Sequence, residues 1–199
     1  GEYIIGVDRL DYSKGLPERF DSLGRFFDTY PDRVKQTLYV QIAPPSRQDV
    51  GSYQRIRSTL EQKAGQINGA RSEVDMVPIR YVNKGYPRRE LFGIYRSAHV
   101  GLVTPLRDGM NLVAKEYIAA QDPEDPGVLV LSRFAGAAEQ LTDALLINPY
   151  SMEETSEAIR EALDMPLDER KERWEKLNEV VKTANVERWR ANFVDALSA

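Results

Sequence analysis

The segment TPLRDGMNLVAKE, residues 104–116, sets a cation, a carboxylate and a glycine side by side. Arg107, Asp108 and Gly109 stand between a short apolar run and a helical pattern that carries Glu116. A glycine lets backbone approach a ligand closely. The first amides of the following helix are unpaired donors at the positive end of a dipole. Such a place takes an anion, and a phosphate or diphosphate suits it best. Asp108 would repel a bare phosphate, but it fits one that carries a hydroxyl-rich group such as a sugar. Glu116, on the Leu112 face of the helix, can accept hydrogen bonds from a ribose diol.

Cations recur at the other strand exits. VDRLDYSKGLPER carries Arg9 and Lys14, with Gly15 ahead of a helix; APPSRQDV carries Arg47; SRFAGAAE carries Arg133 and Gly136. Each has a plainer reading as well. Arg9 can pair with Asp8 or Asp11 at the surface, Lys14 can be a solvated turn residue, and Asp108 can be a helix cap. Tyr12 and Tyr86 can line a base or simply pack. His99, the only histidine, reads as structural. Several chemistries lack their motifs. There is no G-x-G-x-x-G, no Walker A lysine motif and no G-x-S-x-G elbow. No two aspartates stand at i and i+2, so the metal-holding or nucleophilic Asp-x-Asp pair is missing.

The elements that must hold these residues alternate. The spacing predicts strands over Tyr3–Val7, Leu38–Ala43, Val77–Val82, Val100–Val103, Val128–Ser132 and Ala144–Ile147. It predicts helices opening at Pro17, over Val50 to about Asn68, Arg88–Ala98 and Asn111–Gln121, with a short one over Ala135–Gln140. The remainder is helical, with Leu167, Trp174, Leu177 and Val181 as one apolar stripe. Short apolar strands alternating with helices give an α/β fold, a doubly wound parallel sheet with helices on both faces. Ligands of such sheets bind beyond the carboxyl ends of the strands, where the cations lie.

Composition sets further bounds. The net charge of −4 provides no basic field for nucleic acid. The absence of cysteine excludes disulfides, thiolate catalysis and cysteine-held zinc. No apolar run is long enough to span a bilayer and no signal peptide is evident, so a cytoplasmic location is expected. The chain opens directly on a strand pattern, GEYIIGVD, which reads as a piece of something longer.

The motifs RLDYSKGLPER, PPSRQDV, GLVTPLRDGMNLVAKE and LSRFAGAAEQL, spread over residues 9–141, closely resemble the trehalose-6-phosphate synthase family of retaining glycosyltransferases. The resemblance implies a GT-B enzyme of two Rossmann-like halves. This chain is similar to the C-terminal, donor-binding half: one nucleotide-sugar-binding domain over residues 1–199, with helices from about 167 to 199 packed on it, and no counterpart of the N-terminal acceptor half. It implies transfer of glucose from UDP-glucose to glucose 6-phosphate, with no cofactor or metal. By motif position, Arg9 and Lys14 resemble the grip on the donor diphosphate, and Asp108 the carboxylate that holds the donor glucose; these three are the implied catalytic set. Gly109, Met110, Asn111, Leu112 and Val113 fall where backbone meets sugar, phosphate and ribose. Glu116 resembles the ribose ligand, Tyr86 falls at the uracil contact, and Arg47 resembles the arginine that reaches the acceptor phosphate. At Gly85 a histidine is more usual in the family. An isolated half is expected to bind donor nucleotide without turnover, and its open cleft face can associate with another copy. The alternatives are the donor half of a related transferase, such as glucosylglycerol-phosphate synthase, and a non-catalytic nucleotide-sugar-binding module.

Overall fold

A computed structural model describes residues 2–45 and 50–183. Arg47 and the expected helix beyond residue 183 lie outside the described residues. Six strands form one parallel sheet in the order β3-β2-β1-β4-β5-β6. They are β1 (Glu2–Val7), β2 (Thr37–Ile42), β3 (Ile79–Val82), β4 (Val100–Val103), β5 (Val128–Ser132) and β6 (Leu145–Ile147). The helices are α1 (Leu16–Thr29), α2 (Val50–Arg71), α3 (Arg88–Ser97), α4 (Leu112–Ala120), α5 (Met152–Asp164) and α6 (Leu167–Thr183). The predicted α/β doubly wound architecture is therefore the observed one.

Strand alternation distributes the core. Ile4, Leu102 and Val130 face a layer formed with α1, α2 and α5, where Phe20, Leu23, Leu60 and Ile159 are buried. Their neighbours Ile5, Val103 and Leu129 face α3, α4 and α6, where Tyr95, Tyr117, Ile118 and Leu177 are buried. Both faces of the sheet are covered, which is why the inner strands β4 and β5 are buried along their whole length and read as near-continuous apolar runs. Phe20 sits at the centre of the first layer, fully buried, edge-on to the rings of Tyr39 and Tyr81 at 5.9 and 6.3 Å.

Several boundaries differ from expectation. α2 continues to Arg71, because Asn68 does not end it but turns its side chain to Ile79, whose amide and carbonyl it satisfies at 2.9 and 2.8 Å. β3 begins at Ile79 rather than Val77; Pro78 has no amide to donate to the ladder. The short helix after β5 is a 3-10 turn, Gly136–Glu139. The apolar stripe of α6 holds at Trp174, whose indole donates to the Ile118 carbonyl at 3.0 Å, and at Leu177 and Val181. Leu167, in the first turn, is exposed and does not belong to it.

The order 3-2-1-4-5-6 has its switch point between β1 and β4. The chain leaves β1 towards one layer and β4 towards the other, so a crevice opens between their carboxyl ends. The packing that supports this edge has a direct test. Phe20→Ala should cost about 3–5 kcal/mol in urea unfolding. A loss under about 1 kcal/mol would show that the α1 face is not packed on the sheet as described.

Candidate functional site

The loops that leave β1, β4 and β5 are joined at the crevice, largely by main chain. After β1, the Asp11 carboxylate accepts from the Ser13 amide at 2.8 Å and caps a 3-10 turn, Tyr12–Lys14. Gly15 follows at φ 64°, a left-handed conformation, and a Cβ there would lie 2.7 Å from the Thr104 carbonyl oxygen. Only glycine meets both demands at low cost. The Ser13 carbonyl accepts from the amides of Leu106 and Arg107 at 2.8 and 3.2 Å, which fastens the β4 loop to the β1 loop. On the other side, the amides of Gly136 and Ala137 donate to the carbonyls of Asp108 and Met110, each at 2.9 Å. A Cβ on Gly136 would collide with the Gly109 carbonyl.

These links bring Lys14 and Asp108 together across the switch point. Lys14 Nζ stands 2.6 Å from Asp108 Oδ2, with both side chains mostly buried. The same oxygen accepts from Asn111 Nδ2 at 3.1 Å, and Asp108 Oδ1 accepts from the Met110 amide at 3.4 Å. Burial alone would raise the Asp108 carboxyl; the hydrogen bond and charge of Lys14, with the Met110 and Asn111 donors, outweigh it and hold the group below its ordinary value. Asp108 is not the helix cap. Asn111 fills that place at φ 74°, with its side-chain oxygen accepting from the Ala114 amide at 3.2 Å. The amides of Leu112 and Val113 have no partner among the described residues and remain open donors.

The other expected residues take distinct places. Arg9 is exposed and makes no ion pair or hydrogen bond among the described residues. Of its two plainer partners, Asp8 is bonded to Arg19 instead, whereas the Asp11 carboxyl, held below its ordinary value first by the Ser13 hydrogen bonds, is lowered further by the charges of Lys14 and Arg9. Gly109, Met110 and Leu112 are exposed and Val113 is partly buried. Glu116 is partly buried, with Arg88 at 3.7 Å, a loose surface pair. Tyr86 packs on the second layer, under Lys84 Nζ at 5.3 Å from its ring centre. Arg133 is engaged with Glu154. His99 accepts from the Tyr3 amide at 3.1 Å, at the opposite edge of the sheet, which agrees with a structural role. A hollow of about 390 Å³ opens there, but its arginines are paired, Arg96 with Asp122 and Arg170 with Asp125.

One group went unread in the sequence. Arg19 of α1 is 1% exposed. Its Nη1 lies 2.5 Å from Asp8 Oδ2 and 3.0 Å from Gln41 Oε1, and its Nε donates to Thr104 Oγ1 at 2.8 Å. Burial pushes the Tyr39 phenol up to about 12, so it stays protonated and donates to Gln41 Oε1. The signal was available: Arg19 falls on the Leu16–Leu23 face of α1, among residues that point into the core. Among the described residues, no group of three or more acidic or histidine side chains could hold a metal, and no helix is long and apolar enough to cross a membrane.

A parallel sheet in the order 3-2-1-4-5-6 with helices on both faces is a doubly wound α/β fold of the Rossmann kind. The chain belongs to glycosyltransferase family 20, whose model matches residues 1–199. It is 54% identical over 98% of its length to a trehalose-6-phosphate synthase of Sinorhizobium fredii, and covers 42% of that protein. A trehalose-phosphate synthase structure from Burkholderia xenovorans, in complex with glucose-6-phosphate, is 52% identical with a TM-score of 0.95; all of this chain and 44% of that one are covered. The Escherichia coli structure bound with UDP-2-fluoro glucose is 50% identical with a TM-score of 0.94, covering 98% of this chain and 44% of that one. The chain thus spans under half the length of these relatives.

The lowered Asp108 carboxyl has a measurable consequence. Because its folded value is the lower one, the stability it contributes is complete above the unfolded aspartate value of about 3.9 and disappears as pH falls through the folded value. Lys14→Met should move the Asp108 titration upward, and the stability gap between wild type and variant should narrow below about pH 4. A gap that is the same at neutral and acid pH would rule out the pair.

Proposed function

We propose that this chain is the donor-binding half of a retaining glucosyltransferase that moves glucose from UDP-glucose to glucose 6-phosphate, giving trehalose 6-phosphate. The observation that carries the reading is the Lys14–Asp108 pair at 2.6 Å across the switch point, beside the open amides of Leu112 and Val113. The paired charges suit a ligand that carries an anion next to hydroxyls. The relatives' names supply the substrates: a trehalose-phosphate synthase described as UDP-forming, and structures with glucose-6-phosphate and UDP-2-fluoro glucose.

In this reading Arg9 and Lys14 take the diphosphate, with the α4 amides. Asp108 accepts from the glucose hydroxyls, the backbone of Gly109, Met110 and Asn111 approaches sugar and phosphate, and Leu112 and Val113 meet the diphosphate and ribose. Glu116 takes the ribose, and the segment at Tyr86 the base. Arg47 serves the acceptor phosphate by its place in the motif. Retention follows from attack on the face the diphosphate leaves. The bond from the anomeric carbon to the diphosphate oxygen breaks, and a bond from that carbon to the acceptor oxygen forms. The acceptor's proton passes to the departing diphosphate. Negative charge grows on that group during the step, so fixed cations beside it hold the transition state more strongly than the ground state. Removing one such group costs on the order of 3 kcal/mol of barrier. Neutralisation is assigned to side chains, and the reaction so written requires neither metal nor cofactor.

Acceptor orientation belongs to the part of the enzyme that this chain does not span, and orientation is a large share of the rate. The 199-residue chain should therefore bind UDP in calorimetry while forming no trehalose 6-phosphate from UDP-glucose and glucose 6-phosphate. Arg9→Ala should weaken UDP binding about tenfold or more, the worth of a lost charged contact. Equal affinity for UDP in wild type and variant, or turnover by the chain alone, would refute the assignment.

A further inference from the structure

The Arg19 cluster does more than fill the core. One guanidinium from α1 ties three strand ends: Asp8 just beyond β1, Gln41 near the end of β2 and Thr104 just beyond β4. Asp8 is bonded through both oxygens, with Nη2 to Oδ1 at 3.3 Å, and also accepts from Gln41 Nε2 at 3.1 Å. Asp8 directly precedes Arg9, and Thr104 leads into the loop of Arg107 and Asp108. β1 itself makes room, because a Cβ at Gly6 would lie 2.7 Å from Arg19 Nη1.

A buried ion pair is a poor device for stability alone, since apolar side chains of similar volume commonly serve as well or better. A planar, forked donor with several fixed acceptors offers direction instead. We infer that Arg19 is a positioning residue for the donor site: it sets the spacing of the β1 and β4 exits, and so of Arg9, Lys14 and Asp108, without touching a ligand. The inference rests on the donor-site reading above. It also separates the site into two parts. The side chains assigned to the diphosphate, Arg9 and Lys14, lie on the β1 exit loop that Arg19 ties through Asp8, whereas those assigned to base and ribose, Tyr86 and Glu116, lie on the β3 exit and in the second turn of α4.

The test uses the 199-residue chain and its Arg19→Lys variant, which keeps the charge but not the fork. One reading needs no ligand: the titration of the Asp108 carboxyl, followed by carbon NMR. The other is the ratio of UDP to uridine affinity. In a variant that unfolds cooperatively, the Asp108 titration should shift upward, and the UDP-to-uridine ratio should fall about tenfold, one charged contact's worth, with uridine affinity unchanged. A folded variant that keeps both the titration and the ratio overturns the inference. Should Arg19→Lys fail to fold, the paired change Arg19→Met with Asp8→Leu removes both buried charges and carries the same two readings. A wild-type chain that binds neither UDP nor uridine would remove the donor-site reading, while the titration would still decide whether Arg19 sets the loops.

Discussion

A guanidinium buried to 1% exposure must find its counter-charge and its acceptors, or the fold cannot hold it. Arg19 finds them only if β1, β2 and β4 lie side by side with their carboxyl ends level, and only if α1 lies across them. Bulk apolar packing does not impose such a demand, because hydrophobic contact is non-directional. The Phe20 and Ile4 layer brings α1 to the sheet, and the Arg19 cluster then fixes where the strand ends stand. The crevice follows from that placement.

Above the buried cluster lies a second charged pair of different character. Arg19 and Asp8 are sealed from water, whereas Lys14 and Asp108 keep 17% and 16% of their side-chain surface exposed. In the first pair every guanidinium nitrogen and both carboxylate oxygens have a partner, and burial closes it to a ligand. The second is within reach, on the same β1 exit loop as the exposed Arg9 and ahead of two amides that have no partner among the described residues. Polar groups that are ordered yet incompletely satisfied are what a binding site requires, since the supporting structure has already fixed their positions.

The architecture was legible because both sheet faces are covered, so each strand appears as a short apolar run between helices. The strand exits and their cations could be read for the same reason. Pairings across long separations could not. Lys14 and Asp108 are 94 residues apart, and spacing alone permitted Asp108 to be a helix cap. Asn111 takes that role because its left-handed backbone turns the side chain onto Ala114. Arg19 was missed for a different reason. An arginine is ordinarily a surface residue, and its partners Asp8, Gln41 and Thr104 stand 11, 22 and 85 residues away in the chain. Leu167 shows the converse error: the right period, but in a first turn that faces water.

The three exit loops are sewn together through carbonyls and amides of Ser13, Leu106, Arg107, Asp108, Met110, Gly136 and Ala137. Every residue except proline offers the same main-chain groups, so side chains along the seam can change without undoing it. Met110 and Phe134 are free to vary in this sense, as both are exposed. Gly15 and Gly136 are not, since any Cβ would meet a carbonyl of the adjoining loop. A library built to alter what this edge recognises should therefore diversify Met110, Phe134 and the neighbouring exposed Leu112, and leave the two glycines alone.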